Sequence, residues 1–440
     1  MANTYLTRTP SSAGNRTTWT MSMWIKISSV GTLMPLFNSS SDANNYDLIF
    51  IEGGNQIRWW SYQSSSLLVN LRTSRLFRDT NAWYHLVFVY DSGNATANDR
   101  IKLYVNGVQE TSFSTRVNPS QNLDSLWNST LEKNIGRDGT SAGYTSKFDG
   151  SMSHIHFIDG TAYDASAFGE YDTNGVWKIK TSPSVTYGTN GFFILKNGNS
   201  VTDQSGNSNN FTVAGGTLTN TEDSPSNVFA TLNAIDTFSE TDYSNGNTKS
   251  TRSTGSYRSA FSTLGFTTGK YYAEFKVYDV ANGNGLGVLN LDKSPYGTYI
   301  SGTEKYVGIN DNAVGLFSNI LYYNNVNQGG TWTSWSNGDI IGLAVDATNG
   351  YAYWSVNGTW QNSGNPTAGT GGYALSNIGS NGTYVMGCSN STSSTEVNFG
   401  NGYFGSTAVA SAGTNASGNG IFEYDVPTGY TALSTKGLNL

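Results

Sequence analysis

An all-β fold, two antiparallel sandwiches joined by a structured connector, is what this sequence predicts, and three observations predict it. Short apolar runs end on turn signals: Leu86-Val87-Phe88-Val89-Tyr90 stops at Asp91-Ser92-Gly93-Asn94, as a buried strand does. Alternating runs end on Asn-Gly: Ile101-Lys102-Leu103-Tyr104-Val105 meets Asn106-Gly107 and returns through Val108-Gln109-Glu110. Asn-Gly supplies the positive φ angles of a two-residue type I′ hairpin. No long 3.6-residue periodicity and no heptads occur, so no coiled-coil trimerisation stalk is expected.

The same plan returns in the second half. Ile340-Ile341-Gly342-Leu343-Ala344-Val345 stops at Asp346, Asn349-Gly350 turns the chain, and Tyr351-Ala352-Tyr353-Trp354-Ser355-Val356 runs into Asn357-Gly358. The copies lie too far apart for a short-period solenoid. They define two sandwiches, over residues 1–170 and 236–440. Residues 171–235 between them mix Gly188, Gly191, Gly206, Gly215-Gly216 and Pro225 with apolar pieces such as Phe192-Phe193-Ile194-Leu195. Pure Gly/Ser tethers carry no such apolar content, so this stretch reads as a structured connector packing on the sandwiches. The best helix signal is one turn over 165–167, capped by Asp164.

Composition narrows the partners. Of the 440 residues, 37% are hydrophobic and 13% aromatic, enough for sizeable cores. Only 12% are charged, against ~25% in an average soluble protein, and Ser, Thr, Asn and 51 Gly fill the deficit. A net charge of −7 offers no basic face for phosphates, so no nucleic-acid partner is expected. No apolar run approaches the ~18 residues of a membrane helix, so no membrane partner is expected either. The opening Met1-Ala2-Asn3-Thr4-Tyr5-Leu6-Thr7-Arg8 lacks the apolar core of a Sec-type leader, which points to release by lysis. The one Cys, Cys388, sits in the strand-like Tyr384-Val385-Met386-Gly387-Cys388 and reads as a small core residue.

At Trp19-Thr20-Met21-Ser22-Met23-Trp24-Ile25-Lys26, Ala82-Trp83-Tyr84-His85-Leu86-Val87, Lys102-Leu103-Tyr104-Val105-Asn106-Gly107 and Phe148-Asp149-Gly150-Ser151-Met152-Ser153-His154-Ile155-His156-Phe157, the first third resembles the laminin-G/concanavalin-like jelly roll common in bacteriophage virion proteins. From about Asp236 the chain resembles a SPRY-like domain, another concanavalin-like sandwich. That resemblance rests on Gly269-Lys270-Tyr271-Tyr272-Ala273-Glu274-Phe275, Gly338-Asp339-Ile340-Ile341-Gly342-Leu343-Ala344-Val345-Asp346 and Pro427-Thr428-Gly429-Tyr430. Together they imply a phage virion surface protein: a capsid decoration or appendage subunit, homo-oligomeric, binding other virion proteins and host-surface glycans. The fold itself hosts lectins, glycosidases and protein-binding modules.

Catalytic spacings are missing. Enzymes of this sandwich type resemble one another in a Glu-x-Asp-x-x-Glu string, whose alternate positions aim two acids the same way across the ~5–5.5 Å that a retaining glycosidase needs. Glu170-Tyr171-Asp172, Glu240-Thr241-Asp242 and Glu423-Tyr424-Asp425 each lack the third acid. No Gly-x-Ser-x-Gly elbow sits on a strand-to-helix turn, and no phosphate loop occurs. The expectation is therefore a non-enzyme, with a polysaccharide depolymerase as the remote alternative.

His154 and His156, two apart on one strand, would share a face and with Asp159 could begin a metal site, but nothing places His85 nearby. Asp203-Gln204-Ser205-Gly206-Asn207 superficially resembles a calcium loop, but Ser208 and Ala214 hold the positions where an EF-hand needs Gly and Glu. Calcium remains a weak option and no other cofactor is expected.

The candidate contact residues are aromatics: Trp59, Trp60 and Tyr62 in the first half, and Tyr322, Tyr323, Trp332 and Trp335 in a Gly/Asn-rich region of the second. Such rings suit the apolar C–H face of a sugar and equally the core of a protein interface. Trp59 and Trp60 are neighbours on one strand, so one of the two must point away from the core. The choice lies between a particle-decorating protein and a receptor-binding glycan adhesin.

Overall fold

The chain folds into strands and short 3₁₀ turns, with no α-helix among the described residues. The computed structural model describes residues 4–139, 146–196, 200–235, 241–293 and 305–440. Two compact units emerge, Met1–Asn220 and Thr221–Leu440, each with its own paired sheets. The boundary falls inside the connector stretch.

In the first unit an eight-stranded sheet runs in the order Phe113–Val117, Ser66–Thr73, Ile57–Gln63, Asn45–Ile51, Met34–Asp42, Lys133–Ile135, Tyr5–Arg8, Thr212–Gly215. A six-stranded sheet faces it: Phe192–Ile194, Gly150–Asp159, Thr18–Ile27, Tyr84–Asp91, Ile101–Val105, Val108–Gln109. Period two sends Trp19, Met21, Met23 and Ile25 inward beside Leu86, Phe88, Ile101 and Leu103, against Phe37, Ile49, Ile57 and Leu71 of the other sheet. Trp19 lies at the centre, stacked on Tyr90 with ring centroids 5.4 Å apart and 5.3 Å from Trp59. Each such burial contributes about 1.5–3 kcal/mol.

The connector is divided between the units. Phe192–Ile194 joins the six-stranded sheet and Thr212–Gly215 the eight-stranded one. Past the boundary, Phe229 bridges to Ser434 and Leu232 to Ser262 in the second unit.

The second unit pairs a nine-stranded sheet with a six-stranded one. The larger runs Asp242–Ser244, Lys249–Thr251, Ser394–Asn398, Lys270–Tyr278, Ile340–Asp346, Tyr351–Val356, Thr359–Trp360, with Tyr373–Ala374 and Thr431–Ala432 alongside. The smaller runs Arg258–Phe261, Tyr384–Asn390, Asn284–Asn290, Ala313–Phe317, Ile320–Tyr323, Val326–Asn327. Cys388 is buried in Tyr384–Asn390, and burial pushes its thiol up to about 12.

Turn chemistry follows the sequence. Asn106 and Gly107 take φ 48° and 82° between the paired Val105 and Val108. Asn357 and Gly358 repeat this at 48° and 79° between Val356 and Thr359. Asn349-Gly350 is instead the end of a longer loop, pinned by Asp346, which accepts from Asn349 N at 2.8 Å. Asp164 caps the Ala165–Ala167 turn by accepting from Ser166 N at 2.8 Å.

Candidate functional site

The Ile57–Gln63 strand alternates cleanly. Ile57, Trp59 and Ser61 turn inward, and Trp59 is only 1% exposed within the core. Arg58, Trp60 and Tyr62 turn outward and are half-buried. The expected contact role is therefore corrected for Trp59: its parity on the strand makes it a core ring that offers no surface. Trp60 is the neighbour that points away.

Cross-strand pairing builds a platform around Trp60. It lies opposite Leu48 on one side and Asn70 on the other, while Tyr62 lies opposite Tyr46 and Arg58 lies between Phe50 and Arg72. Tyr46 and Tyr62 stack at 5.0 Å, Phe50 tilts against Trp60 at 4.9 Å, and Trp60 meets Tyr62 edge-on at 6.1 Å. This apolar cluster lies outside the main core and draws its members from residues 33–62.

A polar border is fastened to the rings. The Arg58 guanidinium lies 4.4 Å over the Trp60 ring. Arg58 Nε and Trp60 Nε1 both donate to Asn70 Oδ1 at 3.2 Å. Glu52 accepts from Arg58 at 3.1 Å and from Arg72, which also donates to Gln56 Oε1 at 3.2 Å. Two guanidiniums thus share one carboxylate beside the aromatic face. The arrangement offers ring surface for apolar C–H groups, with an amide, guanidiniums and a carboxylate at its border to exchange hydrogen bonds with hydroxyls.

The other four candidates do not converge. Tyr322 and Tyr323 are neighbours on one strand and take opposite faces. Tyr322 packs with Tyr306 and Phe317 at 6.0 and 5.8 Å, while Tyr323 packs on the core and donates its hydroxyl to Asn377 O at 2.9 Å. Trp332 lies edge-on to Trp354 at 5.9 Å and donates to Gly329 O. Trp335 is corrected too: it is 5% exposed in the core of the second unit, with its backbone N–H donated to Ser318 Oγ. A Gly/Asn-rich setting signals turns, and of these four rings only Trp335 is fully buried.

The titratable candidates are engaged with their neighbours. A bulge between Ser153 and His156 places His154 at φ 47°, so the two histidines do not simply share a face. His156 stacks on Phe193 at 3.9 Å and shares a 2.9 Å hydrogen bond with Tyr187 Oη, and burial holds it well below its ordinary range. Burial lowers His154 to about 4 and His85 to about 3. Asp203 accepts from Phe193 N, Ser205 N, Ser205 Oγ and Asn209 N, so both oxygens of the calcium-like loop already serve backbone and hydroxyl donors. Among the described residues no group of three His, Cys, Asp or Glu could hold a metal.

In the Glu-x-Asp strings, Asp172 accepts from Asn174 N and Val176 N, Glu423 from Ala410 N, and Asp425 from Thr414. Glu240 lies outside the described residues. Glu274 is fully buried and accepts from the Glu423 and Tyr424 N–H groups at 2.8 Å and from Tyr272 Oη at 3.2 Å. Burial raises it to about 7. Two of its donors are backbone N–H groups at 423 and 424, which makes it an anchor for that segment.

Sequence reasoning missed Tyr46, Glu52, Arg58, Asn70 and Arg72. Period two alone groups Arg58 with Trp60 and Tyr62, but the other four need the strand register.

Against known proteins, residues 2–166 match a laminin G-type family model described as the concanavalin A-like lectin/glucanases superfamily. No curated protein matches the chain. Among solved structures the chain is similar to a native heptameric SAP-like pentraxin from Limulus polyphemus, at 14% identity over 37% of this chain and 72% of that one, with a TM-score of 0.27. It is similar to the SPRY domain of human HERC1 at 15% identity over 38% and 96%, with a TM-score of 0.29. It is also similar to domain 4 of AbnA, a GH43 extracellular arabinanase from Geobacillus stearothermophilus, at 21% identity over 34% and 64%, with a TM-score of 0.27.

Proposed function

We propose that this chain is a non-catalytic glycan-binding protein displayed on the surface of a bacteriophage particle, where it also binds neighbouring virion proteins as a homo-oligomer. The observation that carries the glycan reading is the outward platform of Trp60 and Tyr62 with Arg58, Asn70 and Glu52 at its border. A sugar presents an apolar C–H face ringed by hydroxyls, and this surface presents rings edged by donors and acceptors. The match of residues 2–166 to the lectin/glucanase superfamily supports the same class. The phage setting rests on the resemblance of the first third to virion jelly rolls.

A glycan array probed with the purified chain tests the first part. We expect binding to at least one bacterial surface glycan, weakened roughly tenfold by Trp60→Ala, as loss of a central aromatic anchor requires. A blank array, or binding indifferent to Trp60→Ala and Tyr62→Ala together, would sink it. Incubation with the bound polysaccharide should release no new reducing ends; their appearance would make the chain a depolymerase. Labelling of purified particles by an antiserum tests the setting, and label confined to infected-cell cytoplasm would remove it.

A further inference from the structure

A second ring system lies over the outer face of the six-stranded sheet of the first unit. Trp24, His85 and Trp177 form a stack, with centroids 4.7 Å apart at 18° for the first pair and 5.9 Å apart at 21° for the second. Trp177 Nε1 donates to His85 Nδ1 at 3.0 Å. An indole N–H only donates, so Nδ1 accepts, and the neutral imidazole carries its proton on Nε2 toward Ser22 Oγ, 2.8 Å away. Gly107 and Gly169 close on the indole so tightly that an added Cβ at either would come within 2.4 Å of it. The ring is therefore held in place before any ligand arrives, which spares the ordering cost of binding.

Trp177 lines a cleft of about 350 Å³ together with Tyr104, Tyr171, Glu170, Lys180 and Asp164. That is the small end of the roughly 300–1,000 Å³ range of ligand pockets, suited to one or two sugar rings. Tyr171 is 52% exposed and meets Trp177 edge-on at 4.9 Å. Glu170, Asp164 and Lys180 are the charged groups of the cleft lining. Lys180 lies 3.8 Å from Glu170 and donates to Ser166 O at 2.8 Å. An anion would meet no surplus of positive charge, whereas hydroxyls would find acceptors on Glu170 and a donor on Lys180.

We infer that this cleft is a binding pocket for a neutral pyranose, separate from the Trp60 face and independent of it. The C–H face of the sugar packs on Trp177, and Glu170 and Lys180 take its hydroxyls.

The test uses the full chain labelled with 5-fluorotryptophan and read by fluorine NMR. Trp177→Phe assigns the resonance; should that variant not fold, displacement of the same line in Tyr171→Ala and Glu170→Gln, both at exposed positions, assigns it. Maltose, cellobiose, lactose and chitobiose are the probes. We expect at least one to shift the Trp177 line saturably, Tyr171→Ala to weaken that binding roughly fivefold, and Trp60→Ala to leave it unchanged. No shift with any of the four, a shift that vanishes in Trp60→Ala, or a shift that follows protein concentration instead of sugar would each overturn the assignment; the last would make the cleft a contact between copies.

Discussion

The two units share a sandwich plan and differ in which outer face they leave to solvent. In each, the sheet carrying the Asp-turn and Asn-Gly hairpin is overlaid by a later segment of the same unit. In the first, Tyr163, Phe168, Trp177 and Tyr187 pack over Val87, Val89 and Ile158. In the second, Phe422, Val426 and Tyr430 pack over Tyr272, Ala344 and Tyr353. Even the detail repeats: an aromatic sits against the glycine of the hairpin, Trp177 on Gly107 and Tyr424 on Gly358. The opposite sheets diverge. The second unit fills the outer face of its smaller sheet with Phe261, Leu289, Val307, Ala313 and Val385. The first leaves Trp60 and Tyr62 half-buried on its larger sheet, beside Arg58 and Arg72. Apolar side chains on an outer face need a cover, and where the chain supplies little of one, a ligand can.

Acid should separate the units most. All three histidines, at 85, 154 and 156, lie in the first unit, and burial lowers all three. Below about pH 6.5 the unfolded unit takes up three protons that the folded unit refuses, so stability falls as pH falls. Asp47 opposes this with one proton, because burial raises it to about 6 in the folded state. The net of about two protons costs about 2.7 kcal/mol per pH unit between pH 6 and 4.5. The second unit has no histidine, and its Glu274 is raised to about 7. Folded Glu274 binds its proton before the unfolded chain does, so over the same window this unit gains about 1.4 kcal/mol per pH unit. Calorimetry should show two transitions moving in opposite directions; transitions that shift in parallel would break the comparison.

Next in size is the anchor under the second cover. Glu274→Ala strands the half-buried N–H groups of Glu423 and Tyr424. We expect a loss of about 3 kcal/mol in the second unit, none in the first, and faster amide exchange confined to residues around 423. Unchanged exchange there would mean that the apolar contacts hold the segment without Glu274.

The smallest effect sharpens the repeat. Gly107→Ala and Gly358→Ala each place a Cβ at φ near +80°, against an aromatic ring. Each should cost its own unit about 1–2 kcal/mol. A marked inequality, read from the two melting transitions, would show that only one ring is held firmly.

Much of the fold was legible because its signals are local. A positive φ at Asn106-Gly107 or Asn357-Gly358 is a property of those residues, and period two assigns Trp59 and Trp60 to opposite faces of one strand. The site was legible only in part. Asn70 and Glu52 reach Trp60 and Arg58 through register, which no residue string states. His154 escaped the period-two rule through a bulge, and Trp177 met His85 across 92 residues of chain.

By itself the sequence determined the all-β class, the strands and the tight turns, since alternation and turn chemistry act over a few residues. Only the tertiary structure decided which rings stay accessible. Trp60 and Trp335 are both tryptophans followed by Ser, yet one lies on an outer sheet face and the other inside a core, because burial depends on what folds over a residue, and that comes from elsewhere in the chain.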